Sequence, residues 1–216
     1  MKNQLTPEKY IKTKARELPY HETFVLPEWN ESGITQVIVS KKMPGGNFII
    51  GTYLVDLYCL GLKDSAWYFN QSSVEYKQLM DLFIERFGEL ETCTVEFANN
   101  LIFGAIDYAE EAEIKPHKSF SITEYILNPE LIDDGIDELE FGKDGKHFFV
   151  AGPYDKTDFI IGKLNRTLGK DNFLFMVSEE QYNEMEDDDY YDEEEDDTDD
   201  ENEDAFDEYE DLSEKK

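Results

Sequence analysis

Basic residues are scarce in this chain. Against 51 Asp and Glu it sets only 20 Lys and Arg, a formal net charge of −31 over 216 residues. That balance excludes a sequence-independent grip on duplex nucleic acid, which needs a basic face to displace counterions from phosphates, and it disfavours anionic lipid surfaces for the same reason. Cysteine is equally thin. Cys59 and Cys93 each sit in an apolar stretch with no CxxC pair, so a disulfide framework is excluded and both read as reduced core thiols of a cytosolic protein. The three histidines, His21, His117 and His147, show neither HExxH nor HxH spacing, which removes the usual zinc signatures. No run approaches the ~20 apolar residues of a membrane span. The first residues carry no apolar leader core, so a cytoplasmic location with no membrane partner is expected.

The charge that is present is unevenly placed. Residues 184–214 hold 21 acids and no base, which leaves 30 acids and 18 bases, or −12, in residues 1–183. A run of such density repels itself and buries no core, so 184–216 is expected to be a disordered polyacidic tail. Tyr190, Tyr191, Phe206 and Tyr209 interrupt it, a mixture suited to docking on a basic surface. The body has the apolar content for a core of its own, and at roughly 100–200 residues per domain it reads as one domain, residues 1–178.

Thr6-Pro7-Glu8 opens a helix that Pro19 stops, with Lys9, Lys12, Lys14 and Arg16 on it. Residues 20–33 carry Pro27, Asn30 and Gly33 and read as a loop pinned by Phe24, Leu26 and Trp29. Ile34–Val39 and Phe48–Leu57 flank the turn Pro44-Gly45-Gly46-Asn47, a hairpin, and Ser65–Phe69 adds a third strand to the meander. Ser72 and Glu75 form a capping box ahead of a helix ending at Gly88. Residues 94–112 are so densely apolar that they predict the most buried helix, with Gly104 marking close helix packing. A second capping box, Ser121 with Glu124, predicts a short helix to Asn128, followed by an acidic loop over 129–138. Asp144-Gly145 predicts a second hairpin between Leu139–Gly142 and His147–Val150, and Gly152–Asp155 breaks the strand and caps a last helix over 156–168. Strands cluster instead of alternating with helices, so the fold class is α+β: a single domain with an antiparallel sheet covered by helices.

Candidate chemistry gathers around residues 56–64. Asp56 and Asp64 bracket a strand end and turn that also hold Cys59 and Lys63; with Asp107 from the buried helix, and His117, they form a candidate divalent-metal set of the kind nucleases use. Asp56 is equally suited to capping the turn around Gly61 through backbone N–H groups. Cys59 with His117 would make a nucleophile and base, but no elbow or oxyanion loop surrounds the thiol, and apolar neighbours raise its pKa. Gly45-Gly46 and Gly142…Gly145 are hairpin glycines without the context of a phosphate loop.

The stretch Gly51–Asp64, with Val55-Asp56-Leu57-Tyr58-Cys59-Leu60-Gly61-Leu62-Lys63-Asp64 at its centre, resembles a family of uncharacterised bacterial proteins marked by a VDxYCLGxKD segment. Phe103–Ala109, Lys115-Pro116-His117, Glu140–Lys146, Ala151-Gly152-Pro153-Tyr154-Asp155 and Ile161–Leu164 resemble the same family in the same order, over about residues 34–177. Ala112-Glu113-Ile114 and His147 depart from the pattern, where a Gly-containing turn and a Pro are expected. The resemblance implies no activity.

Two functions from different classes follow. The first is a non-enzymatic interaction protein whose polyanionic tail steers basic partners, a basic protein or a ribosomal component, or aids solubility. The second is a metal-dependent hydrolase acting on nucleic acid or nucleotides through Asp56, Asp64 and Asp107. It requires those carboxylates to converge, and requires Lys9, Lys12, Lys14, Arg16, Lys41 and Lys42 to make a local basic face for a polyanionic substrate.

Overall fold

A computed structural model describes residues 5–132 and 139–178. The tail expected over 184–216, and residues 133–138 of the expected acidic loop, lie outside the described residues. Thr6 accepts the Lys9 N–H at 3.3 Å and Pro7 takes the first helical position of α1 (Pro7–Lys14), which runs into a 3₁₀ turn at Ala15–Glu17. β1 (Tyr20–Val25) follows, then a single turn of helix, α2 (Trp29–Ser32). β2 (Ile34–Lys42), β3 (Phe48–Asp56) and β4 (Gly61–Gln71) complete a meander. Ser72 and Glu75 close the expected capping box on α3 (Ser73–Phe87). β5 (Glu91–Thr92) and α4 (Val95–Glu110) come next, and Thr94 caps α4 through the Phe97 N–H. The chain ends its described course with α5 (Phe120–Thr123), β6 (His147–Val150), α6 (Thr157–Leu168) and β7 (Phe173–Met176).

The fold is α+β, built on an antiparallel sheet of order β4-β3-β2-β1-β5. Both of its faces are covered. Val37, Val39, Ile49, Tyr53 and Val55 bury one face with Ile11 of α1 and with Leu101, Ile102 and Ala105 of α4, while Ile38, Phe48 and Ile50 bury the other against Tyr76, Met80 and Phe83 of α3. This explains why β2 and β3 are buried almost without a break, polar residues included: a strand with solvent on neither side has no exposed face to alternate with.

Four expectations are corrected. Residues 20–25 form β1 instead of a loop, because Thr23–Val25 register against Val37–Val39 and supply the backbone partners that β2 needs on its second edge. Ser121 and Glu124 make no capping box, since α5 starts one residue before Ser121. The second hairpin reduces to a lone bridge between Lys143 and Lys146, and β6 instead pairs in parallel with β7 through the α6 crossover. Gly104 packs the ring of Phe141, not a helix, since a Cβ there would lie 2.6 Å from Phe141 Cζ.

Lys41 is the most unusual core residue. It is wholly buried; its Nζ donates to the Arg16 carbonyl at 2.8 Å and lies 4.0 Å from the centroid of the Tyr20 ring, with no carboxylate bonded to it among the described residues. Desolvation, with Arg16 adding to it, pushes the amine down to about 8 from 10.5. The folded chain therefore holds fewer protons than the unfolded chain between those values, and this residue makes stability rise with pH through that window, by on the order of 3 kcal/mol in all. Lys41→Met removes the rise. Denaturant melts at pH 7.5 and 10 should show wild type gaining about 2 kcal/mol on the variant; a pH-independent difference would show that the amine keeps its ordinary pKa.

Candidate functional site

The turn between β3 and β4 is where the candidate residues sit. Asp56 is buried at the last position of β3, and its Oδ1 accepts the backbone N–H groups of Tyr58 and Cys59 at 2.9 and 3.0 Å. Desolvation pushes its carboxyl above the ordinary carboxylate value, opposed by those N–H bonds and by Lys63. Gly61 closes the turn at φ +65°, and a Cβ there would meet the Ala105 carbonyl oxygen and Ala109 Cβ at 2.8 Å. Glycine thus lets the turn lie directly on α4. The Cys59 thiol is buried, and desolvation followed by Asp56 raises its pKa, so it holds its proton.

Other segments bond to this turn from outside. The Gly142 N–H donates to the Leu57 carbonyl at 2.9 Å and the Phe148 N–H to the Tyr58 carbonyl at 2.9 Å. Lys63 Nζ donates to Asp155 Oδ2 at 2.7 Å, a pair with side chains 18% and 13% exposed, and the same oxygen accepts the Gly152 N–H. Asp155 therefore ties its loop to β4 and does not cap α6, whose first turn has no side-chain cap. His147 stacks on Tyr108 at 4.0 Å and 8° and bonds to its carbonyl through Nε2 at 2.9 Å.

Asp64, His117 and Ser119 form a second cluster. Ser119 Oγ lies 2.8 Å from His117 Nδ1 and 3.2 Å from Asp64 Oδ1, which is itself 3.2 Å from the same Nδ1. The residue types are those of a hydrolytic triad; the geometry is not. A proton relay needs serine and carboxylate on opposite ring nitrogens, and here both meet Nδ1. Ser119 Oγ also accepts the Ser65 N–H and O–H, each at 2.9 Å, and Ser65 Oγ continues to Thr123 Oγ1 at 2.7 Å. With both lone pairs engaged, the hydroxyl is a lashing between β4 and α5 and not a nucleophile.

Asp56, Asp64 and Asp107 do not come together. Asp56 is a turn cap, Asp64 belongs to the serine cluster, and Asp107 lies exposed on α4. Among the described residues no three His, Cys, Asp or Glu side chains are grouped to hold a metal ion. Of the expected basic face, Lys41 is buried and Arg16, though exposed, donates to the Leu127 and Glu124 carbonyls and lies over Tyr125, while Lys9, Lys12, Lys14 and Lys42 are exposed.

A cleft of about 430 Å³ that includes Tyr58 of this turn is a feature sequence reasoning missed. Trp29, Asn30, Tyr58, Glu140, Gly142, Lys143 and Asp144 line it. Tyr58 is held by O–H bonds to the Glu31 and Asn30 carbonyls at 3.1 and 3.4 Å, and Trp29 is braced edge-on by Phe97 at 5.3 Å. Two fixed aromatic rings with Glu140 and Asp144 nearby suit a cationic side chain, which gains from ring faces and carboxylates together. Trp29 in an expected loop was the one available signal. No family model, curated protein or solved structure matches this chain. Among the described residues, no helix is long and apolar enough to cross a membrane.

Two measurements test the turn. Asp56→Ala strands two buried N–H groups and should lower stability by about 3 kcal/mol, while Asp56→Asn keeps an acceptor and should lose under about 1 kcal/mol; equal losses in urea melts would reject the capping account. A double-mutant cycle on Lys63→Ala and Asp155→Ala should return a coupling of about 1–3 kcal/mol, and additive losses would mean that the pair does not join the two segments.

Proposed function

We propose that this chain is a non-catalytic binding protein whose folded body receives basic partners and whose acid run at 184–214 steers them to it. The observation that carries the reading is the cleft, whose lining brings Trp29 and Tyr58 together with Glu140 and Asp144, groups that suit a lysine or arginine side chain, while the lining Lys143 sets its own amine over the Phe148 ring. The chemical groups of the neighbouring turn support it by their occupation: Asp56 by amides, Lys63 by Asp155, Ser119 by Ser65, and Cys59 by burial with its proton held. None of these is left as an activated nucleophile or base.

The 21 acids of residues 184–214 add a long-range attraction that raises encounter rates with basic surfaces and fades with salt. A basic protein or a ribosomal component fits this chemistry, in a reducing compartment such as the cytoplasm, where Cys59 and Cys93 stay free. The hydrolase reading has no such support, since its three carboxylates occupy separate places. Pull-downs with the full chain and with a chain ending at Asn183, each at low and high salt, test the steering role. Partners held by the full chain at low salt should be lost both on truncation and in high salt, and identical partner lists from the two chains would rule the role out.

A further inference from the structure

The second sheet carries a surface that the cleft does not explain. β6 and β7 pair in parallel with His147 opposite Phe173 and Val150 opposite Met176, so Phe148, Val150, Leu174 and Met176 share one face. Val150 is 43% exposed, Leu174 37% and Met176 59%. The Met176 carbonyl accepts the Ala151 N–H, so the amides of Leu174 and Met176 point toward β6. Those of Phe173 and Phe175 point the other way, along an edge that has no strand partner among the described residues. Exposed edges are ordinarily guarded by lysine, proline or a bulge; Phe173-Leu174-Phe175-Met176 has none of these.

Resting on the reading above, we propose that the outer edge of β7 is the docking strand for an extended, basic segment of a partner protein, which adds to the sheet as a third strand. Main-chain hydrogen bonds to Phe173 and Phe175 would hold the segment, and its alternate apolar side chains would lie on Leu174 and Met176. Charge selects the occupant. Residues 139–178 hold five acids and six bases and are close to neutral, but the sequence passes from Met176 through Glu179 and Glu180 into the acid run that starts at Glu184. A second copy would set another −31 against the chain's own −31, whereas a Lys- or Arg-flanked segment is drawn to a chain of that charge.

The test uses the full chain and fluorescence anisotropy with two short labelled peptides, one alternating Lys and Val and the other Lys and Ser. The Lys-Val peptide should bind wild type about tenfold more tightly than the Lys-Ser peptide, the margin that backbone pairing and apolar contact supply over charge alone. Phe175→Pro deletes an outward N–H and leaves the ladder to β6 intact, so it should bring Lys-Val down to the Lys-Ser level. Leu174→Lys with Met176→Lys changes only exposed side chains and should weaken Lys-Val about tenfold by repulsion, which keeps the test open if the proline variant does not fold. Unchanged Lys-Val binding in these variants would overturn the docking edge and leave the binding of basic partners standing. Failure of both peptides to bind at low salt would overturn that reading itself. A wild-type dimer by sedimentation that Phe175→Pro makes monomeric would give the edge to a second copy and also overturn the proposal.

Discussion

One buried carboxylate organises the part of the protein where its segments meet. Asp56 holds the Tyr58 and Cys59 amides in a turn, and that turn offers the Leu57 and Tyr58 carbonyls outward to Gly142 and Phe148. Without an acceptor at Asp56 those two buried amides would be unsatisfied, and the carbonyls that anchor the later segments would lose their fixed direction. Burial raises the energy of the ionised carboxyl, and the two N–H bonds with Lys63 offset part of it. The turn is therefore a junction first. Its titratable groups are committed to holding β3, β4, α4 and the loop before α6 together.

That commitment also explains why residue types suggestive of catalysis do not form a catalytic arrangement. Cys59, Lys63, His117 and Asp155 each have a partner or an enclosure. The serine, histidine and aspartate near β4 converge on a single nitrogen. A spacing in sequence reports which groups are near one another along the chain; direction and occupancy decide whether they can act, and those are set only by the fold.

The large elements were legible because their signals are local. The β-branched run at 34–39, the turn at Pro44–Asn47, the Ser72–Glu75 box and the dense apolar spacing of 95–110 each dictate structure through neighbours a few residues away. β1 was missed because its residues look like a loop until β2 needs an edge partner, and the parallel pairing of β6 with β7 was missed because Asp144-Gly145 is a strong hairpin signal that a crossover helix overrides. For the site, the capping role of Asp56 was visible as one alternative. Of the cleft only Trp29 gave a hint, since Trp29 and Glu140 lie more than a hundred positions apart and the docking of Gly142 on the turn brings them into one wall.

The meander has a consequence in time. From Tyr20 to Gln71 each strand pairs with the one just made, so every step closes a short loop at small entropic cost. A chain emerging N-terminus first therefore has all four strands available before α3 exists to cover them, and β5 and α4 arrive afterwards to seal the edge and the opposite face. The smaller sheet has the reverse history: β6 waits for twenty-two residues, including a whole helix, before its partner β7 is made. The last strand of the body to be synthesised thus closes the edge of β6 and leaves its own outer edge without a strand partner among the described residues.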